Sequence, residues 1–172
     1  MLRICYRCAV AALCLVTLAT TGAAAARSLA FVTIDFPGAI LTNAQGINAQ
    51  GEIVGGYTDT AGRAHGYLLS GGQFQSIDVP NARATIARGI GPGGDIVGSY
   101  VAQVENTSVP AHGFLLNNRG EFSGVDFPGH INTIPQRILP DGTILGCYHD
   151  TNTLWARCMA CRIPAGDGRR HL

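Results

Sequence analysis

The sequence predicts an all-β fold of tandem four-stranded antiparallel units, and three observations carry the prediction. One motif is written three times in a constant register. Asp35-Phe36-Pro37-Gly38, Asp78-Val79-Pro80-Asn81 and Asp126-Phe127-Pro128-Gly129 lead to Tyr57, Tyr100 and Tyr148, each 22 residues on. A period of about 43 to 48 residues is that of one supersecondary unit copied in tandem. Second, short segments rich in Val, Ile, Tyr and Phe alternate with clusters of Gly, Pro and Asn, the pattern of strands and turns. Third, no window past the N-terminal apolar stretch keeps a 3.6-residue apolar period, so no helix is expected there.

The first copy defines the elements, with strands predicted over 42–47, 53–57, 65–69 and 74–78. The first turn reads Asn48-Ala49-Gln50-Gly51, Gly91-Pro92-Gly93-Gly94 and Leu139-Pro140-Asp141-Gly142 in the three copies. A type I turn favours Asn first, Pro second and Gly fourth, and these copies supply those residues in those columns. The next turn, Asp59-Thr60-Ala61-Gly62, lengthens by four residues in copy two, over 101–110. Insertions collect in exposed loops, so this one belongs on a rim. Gly71-Gly72 and Asn118-Arg119-Gly120 suit tight hairpins between the third and fourth strands.

Both faces of the fourth strand carry apolar groups. Ile34, Ile77 and Val125 lie with Phe36, Val79 and Phe127, while Phe31, Phe74 and Phe122 share the other side with the three aspartates. Such strands belong to sheets packed on each side. Gly55, Gly98 and Gly146 recur inside an apolar strand, where a missing side chain lets another backbone approach. Residues 31–35 read as a fourth strand with no preceding three, and copy three lacks a recognisable third and fourth strand. The N-terminal strand is therefore expected to complete the C-terminal sheet.

Residues 1–26 read as a signal peptide: Arg3 and Arg7, an apolar run over 8–19, then small residues before Arg27. The rest divides into a β-repeat domain over 27–150, with units near 36–78, 79–126 and 127–150, and an irregular segment over 151–172. No stable membrane span is expected after cleavage, and the product is expected to be secreted, periplasmic or extracellular. All 12 basic residues are arginine, scattered apart from Arg169-Arg170. Nucleic-acid binding needs a clustered basic face, so that class is set aside.

Gly46 to Tyr57 followed by His65 to Leu69, and Gly89 to Tyr100 followed by His112 to Leu116, resemble the HAF-type extracellular repeat family of secreted bacterial proteins. The resemblance covers roughly 31–150. It implies propeller-like blades, with no established activity. After Tyr148 the chain departs from the pattern. Three blades fall short of the usual four to eight of a propeller. The outcomes in view are an open arc, a homodimer completing a six-blade ring, a fragment, or a threefold β-trefoil or β-prism; blades are the preferred reading.

The repeated polar residues favour structure over chemistry. Asp35, Asp78 and Asp126 could ligate calcium, but no second carboxylate stands close by in sequence, and capping of the following turn is the simpler use. His65 and His112 recur with the repeat, whereas a catalytic set is normally unique, so a histidine bonded to a neighbouring strand or Asp is expected. Cys158-Met159-Ala160-Cys161 has redox or zinc spacing, with Cys147, His149 and His171 as further ligands, but a disulfide from Cys147 to Cys158 or Cys161 is preferred. Tyr57, Tyr100, Tyr148 and Trp155 could stack on sugars, or pack. Asn106-Thr107-Ser108 is a glycosylation sequon of consequence only in a eukaryotic host. No cofactor is implied. The expected function is a non-enzymatic binding or cell-surface module for a carbohydrate or protein; a purely structural fragment and a hydrolase using a His-Asp pair follow in that order.

Overall fold

The computed structural model describes residues 29–103, 110–149 and 157–162. The first unit of the chain, Met1–Val32, holds no strand in its described part, 29–32. The second, Thr33–Leu172, is all β. Its first sheet contains β1 (Leu41–Ile47), β2 (Ile53–Thr58), β3 (Ala64–Ser70) and β4 (Gln73–Ile77). Its second contains β5 (Ala82–Ile90), β6 (Ile96–Ala102), β7 (Ala111–Leu116) and β8 (Phe122–Gly124). The third contains β9 (Asn132–Ile138), β10 (Thr143–His149) and β11 (Arg157–Arg162). Within each sheet neighbours in sequence are antiparallel neighbours in space. The sheets do not close on one another. They form an open succession of blade-like layers, with β5 lying against β2 and β3, and β9 against β6 and β7.

Local chemistry sets each turn. Gly51, Gly94 and Gly142 donate to the carbonyls of Asn48, Gly91 and Leu139 with φ near +80°, which closes the predicted turn in all three copies. Asn48, Asp59 and Asn117 each fold a side-chain oxygen back onto two backbone N–H groups, an Asx arrangement that pre-forms the hairpin. The Asp-x-Pro motif is a corner. Ala39, Ala82 and His130 donate to the carbonyls of Phe36, Val79 and Phe127, with Gly38, Asn81 and Gly129 at positive φ. Proline then a left-handed residue is the sequence of a type II turn.

Two apolar layers hold the sheets together. Val54 and Ile77 of the first sheet meet Ala87, Ile90, Ile96 and Phe114 of the second. Val97 and Leu115 of the second meet Ile138 and Ile144 of the third. Each large side chain fully buried here contributes about 1.5–3 kcal/mol. Tyr67 occupies in sheet one the place of Phe114 in sheet two, but its buried hydroxyl has no partner. Tyr67→Phe is therefore expected to raise stability by about 1 kcal/mol, read from the urea midpoint, because the unpaired oxygen leaves the core and the ring stays.

Two expectations are corrected. Residues 31–35 form no strand; apolar alternation needs an edge to pair with, and an open array does not close to offer one. The third sheet instead gains β11 from the stretch expected to be irregular, so the repeat extends through Arg162. Its Arg-Cys-Met-Ala replaces the His-Gly-aromatic-Leu of the other copies, and backbone pairing survives the loss of that side-chain signature. The sequon at 106–108, Trp155, His171 and the signal segment over 1–26 lie outside the described residues.

Candidate functional site

The repeated polar residues assemble into a cross-strand row at one end of each sheet. In the first, Thr42, Tyr57 and His65 are register partners. Tyr57 lies between Phe36, stacked at 3.7 Å, and His65 at 4.9 Å. His65 Nδ1 meets Asp78 at 2.7 Å and its Nε2 meets Asp59 at 3.2 Å. Arg63 and Ala61 N–H groups, with His65, hold the Asp59 carboxyl below its ordinary range against a smaller opposing effect of burial. The second sheet repeats the row: Tyr100 leans on His112, whose Nδ1 meets Asp126 at 2.8 Å. Asp126 also accepts from Gly113 N–H. In the third, Phe127 stacks on Tyr148 at 4.1 Å, and Arg157 stands opposite Tyr148 where a histidine stood before.

The aspartates thus reach back to the preceding histidine and do not cap the turn that follows. That task falls to residues the sequence reading missed. Thr42, Thr85 and Thr133 accept hydrogen bonds from Phe36, Val79 and Phe127 N–H at 2.9–3.1 Å. Each lies seven residues after its aspartate, a constant spacing that could have exposed them. Asp35 has no preceding strand to supply a histidine. Thr85→Val keeps the shape but strands a buried N–H; a loss of about 1–3 kcal/mol in chemical denaturation is expected, with less for half-buried Thr42.

Both ring nitrogens of His65 face carboxylates, an arrangement that orients the ring and leaves neither to activate a hydroxyl. Among the described residues no three His, Cys, Asp or Glu side chains gather as a metal site. Register accounts for the cysteines. Cys147 stands opposite position 158, whereas Cys161 stands opposite Ile144, three places along the same ladder. At about 3.3 Å per residue this is too far for a Cys147–Cys161 disulfide, and both thiols are free. Only the 147–158 pairing is in register. Burial pushes the Cys161 thiol up, towards the inert protonated form.

A different set of side chains converges where the first strands of the three sheets approach one another. β1, β5 and β9 each bulge at one equivalent residue, Gln45, Arg88 and Gln136, which the ladder skips. A bulge re-aims its side chain. These three and Arg137 line two adjoining cavities of about 630 and 460 Å³ whose walls contain no Asp or Glu. Arg88 donates to Ser99 Oγ at 3.3 Å, and Gln136 to Cys147 Sγ at 3.4 Å. Burial pulls the Arg88 guanidinium below its ordinary value, with the neighbouring Cys147 working the other way. Among the described residues the ion pairs are all His–Asp, so neither arginine is matched by a carboxylate. Sequence gave little notice of this groove: the only hint was a variable residue in front of Gly46 and Gly89.

Fold and groove together define an all-β protein of tandem blade-like sheets with an arginine-lined cleft. The chain matches no family model, no curated protein and no solved structure. Among the described residues no helix is long and apolar enough to cross a membrane.

Proposed function

We propose that this chain is a secreted, non-enzymatic binding module of the HAF-repeat type, and that its ligand, an acidic carbohydrate, rests in the groove between the first strands. The observation that carries this reading is a division of labour. Residues that repeat (Thr, Tyr, His, Asp) are engaged within the sheets and their corners, while the residues re-aimed by the bulges, Gln45, Arg88 and Gln136, line the groove. A repeated scaffold that presents a column of polar side chains to one groove is the organisation of a recognition surface. Two guanidinium groups and two carboxamides with no acid among them suit carboxylate and hydroxyl acceptors, which acidic sugars offer together. The proposed export rests on the basic and apolar N-terminal pattern.

A glycan array carrying uronic-acid and neutral saccharides, probed with the mature protein, tests the proposal. Retention of acidic members is the expected result. Silence across the array would sink it; capture of proteins alone in a parallel pull-down would move the ligand to the other class.

A further inference from the structure

One face of each of the first two sheets receives the next sheet, and glycine makes this possible. A Cβ built on Gly46 would meet the Arg88 carbonyl oxygen at 2.8 Å and Gly89 Cα at 3.2 Å; one on Gly66 would meet Ala87 N at 3.2 Å. In the second sheet a Cβ on Gly89 would meet the Gln136 oxygen at 2.6 Å and Arg137 Cα at 2.8 Å, and one on Gly113 would meet Pro135 Cγ at 2.8 Å. Backbone touches backbone across these columns.

Register carries both columns into the third sheet, where glycine disappears. Arg137, paired with Leu145, occupies the place of Gly46 and Gly89, which pair with Val54 and Val97. Position 158, next to Arg157 opposite Tyr148, holds cysteine in the place of Gly66 and Gly113. A third column reads Gly56, Ser99 and Cys147, and Ser99 shows that a small side chain is tolerated there. The departures from glycine that matter are therefore Arg137, which is exposed, and position 158.

The opposite end of the array has the reverse asymmetry. Ala87 and Ile90 of the second sheet, and Pro135 and Ile138 of the third, insert against the preceding sheet; Ile90 and Ile138 keep only 7% and 6% of their surface exposed. The first sheet carries the same insertion residues, Ala44 and Ile47, and Ile47 is 66% exposed. Among the described residues both glycine-bearing faces are already occupied, the first by β5 and the second by β9.

We propose that the outward face of the first sheet, with Ala44 and Ile47 on its edge strand β1, docks onto the glycine-bearing face of a like β-sheet supplied by a different polypeptide, and that Arg137, together with the loss of glycine at position 158, makes the third sheet a cap that bars a second copy from that role. The equivalent face is buried twice within this chain by that kind of surface. Among the described residues, the free sheet face a second copy can offer is that of its third sheet, where both glycine columns hold other residues. Head-to-tail ring closure between two copies is therefore disfavoured.

Light scattering on the mature protein, under reducing conditions and over a range of concentrations, tests the assignment. Wild type is expected to run at the monomer mass. Arg137→Gly with Cys158→Gly restores a free glycine face and is expected to associate head to tail, to at least about twice that mass; adding Ile47→Asp should return it to monomer. If the double variant does not fold, Arg137→Gly alone, at an exposed residue, is expected to associate more weakly in the same way. A wild-type dimer dissolved by Ile47→Asp would overturn the proposal in favour of a second copy. A folded glycine variant that stays monomeric would overturn it outright, since the face would then not accept the surface it was matched to.

Discussion

Gly98→Ala is expected to cost about 3–5 kcal/mol, a large share of the 5–15 kcal/mol that holds a typical domain. The added Cβ would run into the Ile86 carbonyl oxygen within the same sheet and into the Phe114 ring, whose Cε1 and Cζ lie 2.8 Å away. The oxygen belongs to the β5–β6 ladder and cannot rotate aside. The ring is fully buried and forms the centre of the layer between the first two sheets. Relief therefore requires opening the ladder or expelling Phe114, and overpacking merges into loss of a core aromatic. Gly93→Ala is the matched control. It sits in an open turn with nothing within 4 Å of its Cβ, and a change within about 0.5 kcal/mol is expected. Urea unfolding followed by circular dichroism checks both; equal midpoints for the two variants would remove the steric account.

The same position shows where sequence reasoning stops. Gly55 and Gly98 were legible as a repeated glycine inside an apolar strand, and the reading was that another backbone passes over them. A backbone carbonyl of the preceding strand, that of Asn43 or Ile86, does lie nearest, and beside it sits an aromatic ring from the next strand of the same sheet, Tyr67 or Phe114. The pattern said that backbone comes close there and could not say that a ring shares the space. Turns were read far better, because a type I or type II turn makes its demand on adjacent residues. Asn48, Pro37 and Gly38 meet those demands whatever packs around them. β11 was missed for the converse reason: ladder hydrogen bonds belong to the backbone, and Arg-Cys-Met-Ala supports them as well as His-Gly-Phe-Leu. The threonines were visible only as a spacing, since threonine is ordinary in any strand. The groove was least legible, because a bulge is one unpaired residue that alters no residue type.

Arg88→Gln is expected to lower affinity for an oligogalacturonate probe by at least about 10-fold while leaving the folded structure in place. A charge-assisted hydrogen bond contributes about 1.5–3 kcal/mol, and 1.4 kcal/mol is a factor of ten in the dissociation constant. Arg88 is the arginine of the groove with the larger stake. It is the more buried of the two, and partial desolvation strengthens its attraction for an anion, whereas exposed Arg137 is screened by water and salt. Glutamine keeps a donor that can reach Ser99, so the β5–β6 contact survives and a thermal melt should move little. Arg88→Lys should fall between, since it preserves charge but loses the planar fork that grips a carboxylate with two bonds. Titration calorimetry at low and moderate salt separates the contributions. The wild-type affinity should weaken with salt, and the methyl-esterified probe, which has the same ring and no charge, should bind no better to wild type than to Arg88→Gln. Equal binding of acid and ester by wild type would retain a sugar-binding groove and eliminate the guanidinium as its selector. Undiminished acid binding by Arg88→Gln would place the ligand elsewhere on the molecule.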